Sequence, residues 1–191
     1  MRMVLEDSLV MVVDLQARLL PVIEGGEQAV TEAVWLGRLA TELEVPVWLT
    51  EQYPEGLGHS DPRLLEALPD ACCWQKSHFG ALDEVPLAEA LAASGRRQIV
   101  LCGTEAHICV LQTALGLREA GYAVFWLDEA TVSRRRDEAR LARQRAVQAG
   151  AVVVSADMVA YEWLGRCDDE RFKGIHRRFL RERASRPLSF S

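Results

Sequence analysis

Short apolar runs of strand length recur along this chain, and the stretches between them carry helical spacing. The runs fall at Leu9–Val13 (LVMVV), Val47–Thr50, a weaker one near Ala71–Gln75, Gln98–Cys102, Ala123–Leu127 and Ala151–Ser155. A run that is apolar along its whole length reads as a strand buried on both faces, the habit of parallel sheets. The intervals read as helices. One spans about 27–43, on the spacing of Val30, Val34, Leu36, Leu39 and Leu43, and Pro46 stops it. Asp61-Pro62 opens a short helix to Leu68. Val85–Ala93 ends before Gly95, about 108–120 is closed by Gly121, and 137–149 by Gly150. Asp157 is read as the cap of a helix to Leu164, and an amphipathic helix covers about 169–183. Residues 51–62, with two Pro and two Gly, read as a long loop. This β-α alternation predicts an α/β fold: a three-layer, doubly wound sheet of about six mainly parallel strands, order 3-2-1-4-5-6, with helices on both faces. Residues 1–183 read as one domain of ordinary size and 184–191 as a loose tail.

Composition narrows the functional classes. A net charge of −6 argues against general nucleic-acid binding, so no nucleic-acid partner is expected. The opening MRMVLEDSLVMVVDLQ lacks the build of a signal peptide, and no apolar run approaches the roughly 18–20 residues of a membrane span. The expectation is a cytoplasmic protein with no membrane partner. Five cysteines without a CxxC argue against a disulfide framework. Only Lys76 and Lys173 among 22 basic residues are Lys, so a Lys in this chain invites a reason.

Doubly wound sheets bind ligands beyond the carboxyl ends of their strands, near the switch in strand order. Three polar residues fall at those ends. Asp14 ends the first strand, Lys76 follows the third, and Cys109 opens the helix after the fourth. Strands one and four are neighbours at the switch, so Asp14 and Cys109 are predicted side by side, with Lys76 reaching in from farther out. The helix start and the ammonium are expected to lower the Cys109 pKa. Asp14 is placed to take the thiol proton and return it to a leaving amine.

The segments VMVVDLQ, WQKSHFGAL and GTEAHICVLQTALGLREAGYAVFWLDEA, in this order, resemble the isochorismatase-like cysteine hydrolases over about residues 9–165. The resemblance implies catalytic roles for Asp14, Lys76 and Cys109. It also implies a cis peptide at Thr104–Glu105, with the Glu105 and Cys109 amides as an oxyanion hole. EQYPEGLG and the stretch from VSRRRDEARLARQ to VAYEWLG resemble the isochorismatase-domain-containing branch more closely. Nicotinamidases of this superfamily carry an Asp-x-His pair and a further His that bind metal. Here the corresponding loop reads TEQYPEGLGH with His59 alone, so no metal and no cofactor are expected. Homo-oligomers, dimers or larger, are common in the family.

The resulting expectation is a hydrolase of a small amide or related C–N acyl compound, working through a thioester at Cys109. Two alternatives stay open: an isochorismatase-type hydrolase of an enol ether, and a silent binding or scaffold member of the fold. Gln16, Tyr53, Phe79 and His107 are candidates for the substrate pocket, each with a packing or loop-bonding role as its rival. His78 shares that ambiguity. Cys102, Cys72 and Cys73 read as packing residues and Cys167 as a surface thiol. Arg134, Arg135 and Arg136 read as a solvated run pairing with Asp137 and Glu138 or with a partner subunit. The last helix is expected to dock through Phe172, Ile175 and Phe179.

Overall fold

Alternate residues of a strand point to opposite faces of a sheet, so a continuous apolar run feeds two cores at once. Within β1 (Ser8–Val13), Val10 and Val12 enter one core, while Leu9, Met11 and Val13 enter the other. The computed structural model describes residues 1–190, and among these six strands form one parallel sheet. The other five are β2 (Val47–Gln52), β3 (Cys72–Lys76), β4 (Gln98–Gly103), β5 (Ala123–Thr131) and β6 (Val152–Val154). Their order is β3-β2-β1-β4-β5-β6, as the alternation predicts.

One face is covered by α1 (Gly26–Glu42) and by a helix at Ala156–Leu164, through residues such as Leu36, Leu39 and Val159. The other is covered by helices at Val85–Ala93, Leu111–Glu119 and Arg136–Gln148, through Leu87, Leu117 and Ala142. Burial of each large side chain in these cores stabilises the fold by about 1.5–3 kcal/mol.

Several local expectations change. Glu51 and Gln52 continue β2 instead of starting a loop, because their backbones pair with Gln75 and Lys76 of β3. Ser155, not Asp157, caps the following helix by accepting from Met158 N. Cys72 and Cys73 are exposed, since β3 is an edge strand with an open flank. The stretch before Leu111 is a π-helical turn over Ala106–Val110, not the first turn of an α-helix. The C-terminal helical segment docks as expected, with Ile175 buried and Phe179 edge-on to Trp35. Among the described residues, 184–190 form no helix or strand, but Ser189 exchanges two main-chain hydrogen bonds with the Gln28 side chain.

Candidate active site

The site begins where β1 and β4 run out side by side. Val13 pairs with Gly103, whose φ is +131°, and a Cβ there would meet Val13 O at 1.9 Å. Only glycine allows two strand ends to approach so closely. Beyond that contact Thr104 donates twice to the β1 end, from N to Val13 O at 2.8 Å and from Oγ1 to Asp14 O at 2.7 Å. Asp14 itself turns the chain with a φ of +50°. Its N donates to Thr50 O and its Oδ1 accepts from Thr50 Oγ1 at 2.7 Å. The carboxylate is thereby aimed across the sheet edge.

Lys76, at the end of β3, meets it. Lys76 Nζ lies 2.7 Å from Asp14 Oδ2, and both side chains are 0% exposed. That contact is an ion pair, and Oδ2 makes no hydrogen bond among the described residues. The ammonium also donates to Gln52 Oε1 at 2.6 Å and to Phe79 O at 3.2 Å. Cys109 lies over this pair from the π-helical turn, its Sγ 3.9 Å from Gln52 Oε1. The structure thus brings Asp14, Lys76 and Cys109 into one buried cluster.

The electrostatics differ from the expectation for a helix start. Burial and the Asp14 carboxylate push the Cys109 thiol up to about 12, and Lys76 only partly opposes them. A desolvated thiol beside a carboxylate resists ionisation, and one ammonium already paired to that carboxylate does not reverse this. Cys109 therefore rests as a thiol beside a base.

The Thr104–Glu105 peptide bond is cis. The Glu105 N–H has no acceptor among the described residues, whereas Ala106 N donates to Val132 O. The Glu105 side chain is gripped by Arg134, whose Nε lies 2.8 Å from Oε1 and whose N donates to Oε2. Burial acts to raise the Glu105 pKa, but Arg134 outweighs it and the net direction is down. The arginine run is thus divided. Arg134 serves Glu105, Arg135 pairs with Glu138, and Asp137 pairs with Arg140 instead of with the run.

Other expected pocket residues separate. Gln16 is fully buried and its amide is spent inside the protein, on Gln52 N, Gln52 O and Gly58 O, so it does not face a ligand. Tyr53 and Phe79 are exposed beside the cluster, Tyr53 N bonding to Lys76 O. His107 Nδ1 lies 2.9 Å from Ser133 Oγ, which ties it to the loop after β5. His78 is held by Glu84. His59 Nδ1 lies 3.0 Å from Glu51 Oε2, and the other Glu51 oxygen accepts from Ser60 N and Oγ. Among the described residues no group of three or more His, Cys, Asp or Glu is arranged to hold a metal ion. Sequence reasoning missed Thr50 and Gln52. Both are ordinary strand polar residues whose importance comes from sheet register, a signal one sequence does not carry.

This fold and this edge define an isochorismatase-like α/β protein. The isochorismatase domain model matches residues 8–158, and the chain belongs to the isochorismatase family. Isochorismatase domain-containing protein 2 of Xenopus laevis is 31% identical over 89% of this chain and 82% of its own length. Isochorismatase domain-containing protein 2A of Mus musculus is 31% identical over 92% of this chain and 84% of its own. Among solved structures, the MAR1 ribonuclease of Caenorhabditis elegans superposes with a TM-score of 0.88 at 30% identity, each chain fully covered. YcaC of Pseudomonas aeruginosa, a structure with covalent acrylamide, gives 0.86 at 26% identity over 96% of this chain and 94% of its own. YcaC of Escherichia coli, described as an octameric hydrolase of unknown specificity, gives 0.85 at 26% over 95% and 92%. Among the described residues no helix is long and apolar enough to cross a membrane.

Proposed function

We propose that this protein hydrolyses a small amide or related C–N acyl compound through a thioester at Cys109. The observation that carries the reading is the buried 2.7 Å Asp14–Lys76 pair under the Cys109 thiol, with one carboxylate oxygen lacking a hydrogen bond. Asp14 Oδ2 takes the thiol proton as Sγ attacks the carbonyl carbon, and Lys76 balances the charge that develops on sulfur. The Glu105 amide, free of other acceptors, donates to the oxyanion, assisted by the Cys109 amide. Collapse breaks the C–N bond as Asp14 returns the proton to the leaving amine. Water then attacks the thioester with Asp14 as base, releasing the acid and restoring the thiol. Tyr53, Phe79 and His107 border the entrance for a small-molecule substrate.

Support comes also from the two YcaC structures, one with covalent acrylamide and one described as a hydrolase. Homo-oligomerisation is part of the proposal, because the E. coli relative is octameric. Ammonia release from a panel of primary amides and carbamoyl compounds tests the chemistry. Cys109→Ala should lower turnover of any substrate found by about 1000-fold or more. A mutant that stays active would sink the mechanism. RNA belongs in the panel as a contrast, because one relative is named a ribonuclease. Cleavage of RNA with all amides inert would replace the proposal.

A further inference from the structure

Gln52 has no task in the mechanism above, yet it is among the most constrained residues of the site. Its Nε2 donates to Ser77 O at 2.8 Å, which turns Oε1 inward. Oε1 accepts from Lys76 Nζ at 2.6 Å and lies 3.9 Å from Cys109 Sγ. The main chain of Gln52 is clamped from behind by Gln16, whose Oε1 accepts from Gln52 N at 2.9 Å and whose Nε2 donates to Gln52 O at 3.0 Å. Both main-chain groups and both ends of the amide are therefore committed in one orientation. That arrangement delivers a single neutral oxygen between an ammonium and a thiol.

Neutrality matters at this point. A carboxylate in the same place would compete with Asp14 for the Lys76 ammonium and repel a developing thiolate. An apolar side chain would remove an acceptor from a buried ammonium and leave Ser77 O without this donor. An amide avoids both costs. The titratable groups facing this hub are Asp14 from β1, Lys76 from β3 and Cys109 from the π-helical turn. Farther out, His78 is tied to Glu84, and Glu51 is tied to His59 and Ser60.

We propose that Gln52 is a positioning residue of the thiol chemistry: its amide oxygen holds the Lys76 ammonium against Asp14 beside Cys109, and Gln16 braces it. This rests on the role proposed for Cys109, and the test separates the two. The measurement is the second-order rate of acrylamide addition at Cys109, followed by mass spectrometry from about pH 5 to about pH 9, and it needs no substrate. Gln52→Glu should be slower than the parent by about tenfold near pH 8. Its ratio to the parent should recover as pH falls, because a protonated carboxyl again offers a neutral C=O to Lys76 and an O–H to Ser77 O. Gln52→Met should be slower by about tenfold with a ratio that does not change with pH. Gln16→Met should move the same way by about threefold, and it carries the test if either Gln52 variant fails to fold. Thermal melts identify the folded variants.

A pH-independent ratio for folded Gln52→Glu would reduce Gln52 to a packing role and overturn the proposal. Rates within twofold of the parent for all folded variants would do the same while leaving the role of Cys109 standing. If Cys109 in the parent reacts no faster than exposed Cys167, both readings fall together.

Discussion

Among the described residues, the ion clusters around the fully buried cations Lys76 and Arg183 are built on opposite plans. At the strand ends, Asp14 and Lys76 form one ion pair through Oδ2, with a thiol overhead. On the α1 face, the fully buried Arg183 is surrounded by three carboxylates: Glu32, Glu129 at 2.9 Å and Asp157 at 2.9 Å. Its guanidinium also lies 4.4 Å from the Trp35 ring centre. The Arg183 cluster ties the C-terminal helical segment to α1, β5 and the helix at Ala156–Leu164 and offers no nucleophile. Equal burial therefore does not mark equal purpose. What separates the clusters is not a spare oxygen, since Glu129 Oε2 also lacks a hydrogen bond, but the thiol beside Asp14, an atom that can give a proton.

This contrast is open to direct attack. The largest expected effect is Asp14→Asn, which should lower turnover of any substrate found by about 100-fold or more at neutral pH, since an amide cannot take the thiol proton and return it to the leaving group. Turnover as fast as the parent would erase the distinction. Next, Arg183→Met should cost about 3–5 kcal/mol in urea denaturation, because the buried Glu32 and Glu129 carboxylates lose their shared cation. Cys109 labelling in the folded fraction should stay within about twofold, and a large loss would mean the clusters are coupled. Asp157→Asn should cost only about 1 kcal/mol, as this carboxylate is half exposed and can be rehydrated.

The smallest effect is a pH dependence at Glu84, whose carboxylate caps Ser77 N and His78 N just after Lys76. Those backbone hydrogen bonds, with His78, hold its pKa down at about 2, below the ordinary 4.5. A depressed acid stabilises the fold fully above about pH 4.5, and the contribution drains away as pH falls toward 2. Glu84→Gln should therefore flatten the acid limb of stability between those values and change little at pH 7. An unchanged acid limb would remove Glu84 as an anchor of the Lys76 segment.

Much of the site was legible without coordinates. Asp14, Lys76 and Cys109 could be named because each follows an apolar run, and parallel strands place such positions at one edge. The glycines closing helices were legible for the same reason: local backbone demands leave local signatures. The thiol's ionisation was misjudged from the same information. Helix position was visible in sequence, whereas desolvation and the distance to Asp14 were not. Gln52 hid inside a stretch rich in Pro and Gly that read as loop. Its strand character comes from pairing with Lys76, 24 residues away. Arg134 was read as part of a solvated run for a like reason, since its partner Glu105 lies 29 residues back.

The sequence by itself determined the parallel three-layer sheet, its strand order and the edge at which chemistry-bearing residues collect. These follow from periodicity and turn residues, which act over a few positions. Only the tertiary structure decided which oxygen faces Lys76, why Cys109 rests as a thiol, and which arginine ties the C-terminal segment down. Those are questions of Coulomb interaction and desolvation, set by neighbours in space that the order of residues along the chain does not display.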